Sequence, residues 1–497
     1  MSDSSRTIQS IFKQSSILFH NKEDGYNIYE KENPNKFGVF TVEIESTPIN
    51  SAAQMIHSEN DMSGSMNDIC NDGRSKMQHL NLTLTNIITL LSENADNTDI
   101  TMGISGFDDK IQKVIEPTKI EKDSDQVTLI HNKIRCVLNP RGQTNIGLSL
   151  NNAKTQLQQV AQAQKSFILM TDGEITKGEC DKEKLSEMLP EDSENYFIGF
   201  GATHDFRLLQ HLAKKNMGSY YYVDMIENAG LVFGEIIHTI LYPALKNGSI
   251  ETTNGEIYDF VNNEWTTSLK IPTICSEQKK HYHVRSSDPT NFKLTIRGAT
   301  PFGEEQLDDE TLPDLIDSDG KIDTNDLRKY MYRQKTLELL AQASELIQKT
   351  TQNPEEKKNL KKVLQDFRNE MKVFSKEQDQ NQEHKDYMKQ LCDDLYICEK
   401  TLYSDKALLY TVTRQCAQGR EGSYNTTQID EPPPPPNALY GIKRQNALGF
   451  GSYKIQDVLD LSDSDDEDDE FEISVCPLNR TNTTPSQLKV MRSCSGK

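Results

Sequence analysis

The sequence predicts an α/β fold: a doubly wound, mostly parallel sheet, inserted in or followed by a small antiparallel β-sandwich, then an α-helical bundle and a disordered tail. Three observations carry this. Between residues 51 and 242, short apolar runs alternate with amphipathic stretches, the pattern of β-α-β units. From 243 to 300 the hydrophobic period drops to two, as in strands with one buried face. From 325 to 417 apolar residues recur at steps of three and four, the spacing of a helix face.

In order along the chain, residues 1–35 are polar and uneven and read as a flexible N-terminus. Over 36–50, Phe40, Val42 and Ile44 alternate with Thr41 and Glu43, a half-buried strand suited to join the β-sandwich across the α/β segment. Within 51–242, residues 77–91, 126–137, 146–160, 206–213 and 230–241 suit helices, and 100–107, 110–115 and 220–223 suit strands. The runs 166–171 and 196–201 are continuously apolar, as in strands buried on both faces of a parallel sheet. In 243–300, Asn254-Gly255 lies between Ile250 and Ile257 and predicts a β-hairpin; 269–271, 281–284 and 292–296 continue as short strands. In 325–417, Leu360, Val363, Leu364, Phe367, Met371 and Phe374 share one helical face, and Tyr387, Leu391, Leu395, Cys398 and Leu402 another. Pro354 separates the first helix from the second, and the expectation is a three-helix bundle. Residues 418–497 hold five consecutive prolines (Pro432 to Pro436), an acidic run and a Ser/Thr-rich end, and read as a disordered Pro-rich and acidic tail.

Charge and composition exclude some functions. The formal net charge is −21, and the run 457–472 alone holds ten acids and no bases. A nucleic-acid surface must cluster cations against phosphates, so nucleic acid is not the expected partner. No apolar run approaches the ~20 residues a membrane helix needs, so no membrane partner is expected. Nine cysteines are scattered with no C-x-x-C pair, and the opening residues lack a secretory layout; reduced thiols in a cytoplasmic protein are the expectation.

One constellation carries chemistry. Asp61, Ser63 and Ser65 form D-x-S-x-S; Thr144 lies in the loop before a predicted helix; Asp172 closes a predicted strand in Thr-Asp-Gly. All three segments fall where strands deliver their carboxyl ends, the crevice in which open α/β sheets bind ligands. Three hydroxyls and two carboxylates are hard oxygen donors, suited to Mg²⁺ (or Ca²⁺ or Mn²⁺) rather than zinc or copper. The set falls short of a closed octahedral cage, so water or an outside oxygen must complete it. No nucleophile–base pair stands near, and the chain is not expected to be an enzyme. The alternative is that the serines and Thr144 merely cap turns and helices.

In this order of motifs and elements, residues 50–242 resemble the von Willebrand factor type A (VWA) domain, and the five positions match its metal-ion-dependent adhesion site. The resemblance implies a six-stranded sheet with Mg²⁺ at its top, binding a protein partner through an acidic side chain. It also implies that Asp61, Ser63 and Ser65 contact the metal directly or through water, that Thr144 coordinates in the ligand-engaged state, and that Asp172 acts largely through water. The following β-unit and helices look like the arrangement in intracellular or inter-alpha-inhibitor-like VWA proteins. The sequence departs from the family at Gln143, where a small residue is common, and in the first strand. That strand reads Ala-Gln-Met-Ile-His-Ser-Glu-Asn from Ala53 to Asn60, where an apolar run is usual. Buried polar groups are costly, which predicts an irregular strand or a distorted metal loop. Two further readings stay open: a non-catalytic adaptor of a larger assembly of ubiquitin ligase or chelatase type, and a metal-independent scaffold.

Remaining motifs are weaker. Asp317, Asp319 and Gly320 suggest a calcium loop, but its first position would be Leu315, so a turn and helix cap before Leu327 is favoured. His281 and His283 read as alternating strand residues. Pro432 to Pro436 could dock an SH3- or WW-type groove or serve as a spacer. Ser462 and Ser464 precede acids, as acidophilic kinases prefer.

Overall fold

The structure is a computed structural model that describes residues 11–19, 35–50, 52–70, 72–160, 163–201, 203–215, 218–223, 229–308, 324–349, 353–377, 382–421 and 483–495. The Pro432 to Pro436 run, the acidic run with Ser462 and Ser464, and the calcium-loop motif at Asp317 lie outside the described residues.

The α/β segment comprises β3 (Ala53–Asp61), α1 (Lys76–Glu93), β4 (Asp99–Phe107), β5 (Ile111–Lys119), α2 (Ser124–Val137), α3 (Ile146–Gln158), β6 (Gln164–Thr171), α4 (Lys182–Glu187), β7 (Glu194–Phe200), α5 (Phe206–Lys215), β8 (Ser219–Val223) and α6 (Ala229–Leu241). Its sheet has the order β5-β4-β3-β6-β7-β8, parallel except at the β4–β5 edge. The chain winds outward from β3 in one direction and from β6 in the other. The crevice between their carboxyl ends is therefore the topological switch point. One apolar layer packs α1, α2 and α6 on one face of the sheet through Leu80, Leu84, Ile134 and Phe233. A second packs α3, α4 and α5 on the other through Leu150, Leu185 and Leu209.

The polar first strand is not distorted. β3 pairs in unbroken register with β4 and β6, and its polar side chains find partners for some of their atoms, while Glu59 Oε2 and His57 Nδ1 are buried without one. His57 Nε2 lies 2.8 Å from Glu59 Oε1, and Asn152 of α3 donates to the same oxygen at 2.5 Å. Asn60 donates to the Ser105 carbonyl at 3.0 Å. The sheet ladder fixes the backbone, and α3 supplies the partner that makes burial tolerable. The expectation of an irregular strand is thus corrected.

The sandwich brackets this segment in sequence. One sheet is β1 (Phe12–Phe19), β2 (Lys36–Ile44), β14 (Lys279–Ser286), β10 (Glu256–Asp259) and β11 (Glu264–Thr266). The other is β12 (Ser268–Ile271), β9 (Pro243–Thr253), β15 (Lys293–Thr300) and β16 (Gly303–Asp308), with β13 (Ile274–Cys275) also on β9. β2 precedes the α/β segment and pairs with β14, which follows it. Its alternation is real, with Phe40, Val42 and Ile44 in the sandwich core. Its other face is covered as well: Phe37 and Val39 pack on Leu327, Tyr330 and Met331 of α7 (Thr324–Gln348).

Three sequence expectations fail here. The 1–35 segment is not uniformly loose, since β1 lines the sheet edge and Phe19 meets Phe292 edge-on at 5.2 Å. Asn254-Gly255 does turn, with Asn254 at φ 59, but β9 and β10 belong to opposite sheets and form no hairpin. A Cβ on Gly255 would lie 2.5 Å from the Arg285 carbonyl oxygen and 2.6 Å from the Phe292 ring, so packing at this corner sends the chain across the sandwich. Among the described residues the helical region has four helices, not three: α7, α8 (Pro354–Glu377), α9 (Gln382–Thr401) and α10 (Ala407–Arg420). Pro354 opens α8, where a missing N–H costs nothing. Leu360, Leu364, Phe367, Met371 and Phe374 are buried, whereas Val363 is 45% exposed.

The tail expectation also fails at its end. Pro485–Ser495 is a helix, α11, with Val490, Met491 and Cys494 in the core shared by α1 and α6. It lies against Gly230 and Gly234 of α6. A Cβ on Gly234 would stand 2.4 Å from Met491 Cα, and one on Gly230 2.6 Å from Ser495 Cα. Asn86 of α1 donates to the Cys494 carbonyl at 3.1 Å, satisfying one free carbonyl at the helix end. No helix among the described residues is long and apolar enough to cross a membrane.

Candidate metal centre

Asp61 is the last residue of β3, and Asp172 follows the last residue of β6, so the topology sets both carboxyls beside the switch point. Both side chains are fully buried. Between them runs the D-x-S-x-S loop, which closes into a 3-10 turn at Gly64–Asn67. The Ser63 N–H donates to Asp61 Oδ1 at 2.7 Å, and the Ser63 and Ser65 hydroxyls lie 3.0 Å apart. Ser65 Oγ donates to Asp172 Oδ1 at 2.7 Å. Asp61, Ser63, Ser65 and Asp172, four of the five predicted residues, are thus joined in one hydrogen-bonded chain.

Thr144 enters from the loop between α2 and α3. That loop is pinned by Asp108 at the end of β4, which takes Arg141 Nε at 2.7 Å and the Asn145 N–H on its carbonyl at 3.2 Å. Gly142, at φ +68, offers its carbonyl to the Gly64 N–H at 3.4 Å, so the two loops touch. Thr144 is buried, and its N–H donates to Thr176 Oγ1 at 2.9 Å. Its hydroxyl looks onto Gly173: a Cβ built there would be 3.5 Å from Thr144 Oγ1. Gln143 is exposed, so its size costs the site nothing. All five predicted residues therefore border one crevice.

Sequence reasoning missed three supporting groups. Thr171 Oγ1 donates to Asp61 Oδ2 at 2.6 Å, and Thr203 Oγ1 donates to the Asp172 carbonyl at 2.8 Å. Lys76 Nζ lies 2.7 Å from Asp172 Oδ2. The signal for Lys76 was present: it follows Ser75, and Ser-x-x-Gln (Ser75 to Gln78) is a capping box that starts α1. Such a helix start, following the metal loop, aims its first side chain back at that loop.

Electrostatics set the site apart. Burial pushes the Asp61 carboxyl up to about 6, and the charge of Asp172 pushes the same way, against hydrogen bonds from Thr171 and Ser63. Burial pulls the Lys76 ammonium down, but the charge of Asp172 and bonds to Asp172 and Asp68 outweigh it and leave it raised. Two buried acids with converging hydroxyls fit a hard divalent cation, which would relieve the repulsion that raises Asp61. The histidine pair is structural: His281 faces Glu421, and His283 Nδ1 lies 2.7 Å from Gln334 Oε1.

Residues 60–234 match the von Willebrand factor type A domain. The chain is similar to the inter-alpha-trypsin inhibitor heavy chain H3 of Mesocricetus auratus, 24% identical over 238 residues, covering 45% of this chain and 26% of that protein. The chain thus spans about a quarter of the length of that relative. Among solved structures it is similar to a von Willebrand factor type A protein from Catenulispora acidiphila, at TM-score 0.45 and 13% identity over 68% of this chain and 83% of that one. It is also similar to the ArnB paralog VWA2 from Sulfolobus acidocaldarius, at TM-score 0.45 and 15% identity over 82% and 99%.

Proposed function

From a chain whose residues 60–234 form a von Willebrand factor type A domain, we propose a divalent-cation-dependent protein-binding module. Asp61, Ser63, Ser65, Thr144 and Asp172 hold Mg²⁺ (or Ca²⁺ or Mn²⁺), and a carboxylate of a partner protein completes its shell. Domains of this type commonly bind a divalent metal and mediate protein–protein contacts. The observation that carries the reading is the pair of fully buried carboxylates, bridged by Ser63 and Ser65, at the switch point of the sheet. When bound, the ion supplies a Lewis-acidic point for an outside oxygen. The chain does the rest: Thr171 and the Ser63 N–H orient Asp61, Ser65 and Lys76 orient Asp172, and Asp108 holds the Thr144 loop. The role is binding, not turnover, and the setting intracellular, a reading that rests on nine scattered cysteines with no C-x-x-C pair.

Calorimetric titration of Mg²⁺ and Mn²⁺ into the full chain tests this. Saturable binding that is lost in the double variant Asp61→Ala, Asp172→Ala supports the site, and partner capture should then fail in chelator. Binding that survives the double variant overturns it.

A further inference from the structure

Resting on that reading, we infer that Lys76 is a resident counter-ion that keeps the site a weak metal binder alone and makes the loaded site select an anionic partner group. Its ammonium is 2.7 Å from Asp172 Oδ2, 3.0 Å from Asp68 Oδ2 and 5.2 Å from the Phe200 ring centroid. The side chain is only 16% exposed. It is held in place from both ends. The capping box fixes the start of α1, and the Lys76 N–H donates to the Asp68 carbonyl at 3.0 Å, closing the 68–76 loop.

The consequence is a matter of charge. Asp61, Asp172 and the half-exposed Asp68 offer three negative charges, and Lys76 cancels one of them. A divalent ion entering such a cluster leaves it neutral, whereas without Lys76 the loaded cluster would keep one net negative charge. The ammonium beside Asp172 thus repels the ion and attracts a carboxylate, so ion and partner bind best together. Asp68, half exposed, gives the ammonium a second carboxylate when an ion engages Asp172. In this arrangement Lys76 acts through its charge on the ion and the partner, as a positioning and specificity residue.

The test is calorimetric titration of Mn²⁺ alone into the full chain, comparing wild type, Lys76→Gln and Lys76→Arg, with thermal unfolding in chelator to confirm folding. Lys76→Gln, which keeps a donor to Asp172, should bind Mn²⁺ at least about tenfold more tightly, and Lys76→Arg should stay near wild type. Adding glutarate as a carboxylate probe should tighten Mn²⁺ binding more in wild type than in Lys76→Gln. Uptake of Mn²⁺ by Lys76→Gln when wild type takes up none also supports the inference. If wild type binds and Lys76→Gln binds equally or more weakly, Lys76 is only a structural ion pair and the inference falls while the metal site stands. If no variant binds, the metal site itself falls, and the inference with it.

Discussion

Replacing Asp61 by Asn should stabilise the metal-free protein while abolishing its response to metal. The change removes one of two buried charges and keeps an oxygen to accept the Ser63 N–H; the Thr171 hydroxyl can turn to accept from the new amide. The magnitude follows from the carboxyl's displacement from 3.8 to about 6. At about 1.4 kcal/mol per pH unit this corresponds to about 3 kcal/mol at neutral pH. The sign is that of a carboxyl raised on folding. The folded state binds the proton more tightly than the unfolded chain, so this group's penalty is absent below about pH 4, grows as pH rises from 4 to 6, and is complete above. In chelator at pH 7.5, Asp61→Asn should raise the transition of the α/β domain by roughly 5–10 °C. The wild type should lose stability between pH 4 and 6 relative to the variant. Differential scanning calorimetry with and without Mg²⁺ reads both effects. A variant that melts at or below wild type in chelator, with the same pH profile, would refute the view that burial and the neighbouring Asp172 charge raise the Asp61 carboxyl.

Two further outcomes test packing elsewhere in the fold. Gly234→Leu should lever α11 off α6, because the new Cβ meets the Met491 backbone and not a movable side chain. The buried Cys494 thiol should then react with a maleimide, located by mass spectrometry, and continued protection would refute the contact. Glu421→Gln should cost about 3–5 kcal/mol in urea unfolding at pH 7, because Arg333, 2.7 Å away and buried, loses its counter-ion. Burial pushes the Glu421 carboxyl up, but Arg333, His281 and Lys280 outweigh it and hold it far below the usual range. Its contribution is therefore complete above about pH 5.5 and is lost progressively as pH falls through the ordinary carboxylate range and below, so the wild type's advantage over the variant should shrink only in acid. A difference under about 1 kcal/mol at pH 7 would refute the ion pair's role.

What could be read from the sequence was whatever one segment decides by itself. Asp61, Ser63, Ser65, Thr144 and Asp172 were legible because each sits at a strand end or helix start that its neighbours specify. Lys76 was legible only as the first residue of a capped helix, and Thr171 not at all, since the role of each depends on which carboxylate lies opposite. The polar strand was misjudged for the same reason: Asn152, which donates to Glu59, is 93 residues away. Asn254-Gly255 declared a turn correctly but could not declare which strand would pair, because the Phe292 ring and the Arg285 carbonyl settle that. An 11-residue helix such as α11 is marginal in isolation. Its stability comes from two glycines more than 250 residues earlier, which no local pattern reveals.

The two ends of the α/β segment meet: the Asn50 N–H donates to the Leu241 carbonyl at 2.7 Å, at the pole of the sheet opposite the metal crevice. From that point one end continues into β2 and the other into β9, in different layers of the sandwich. A force applied at the crevice would load both layers at once through these adjacent connections, and the interlayer core of Phe40, Ile250 and Leu294 would resist slippage of one layer past the other. The splice thus ties the α/β domain to both layers of the sandwich at one point.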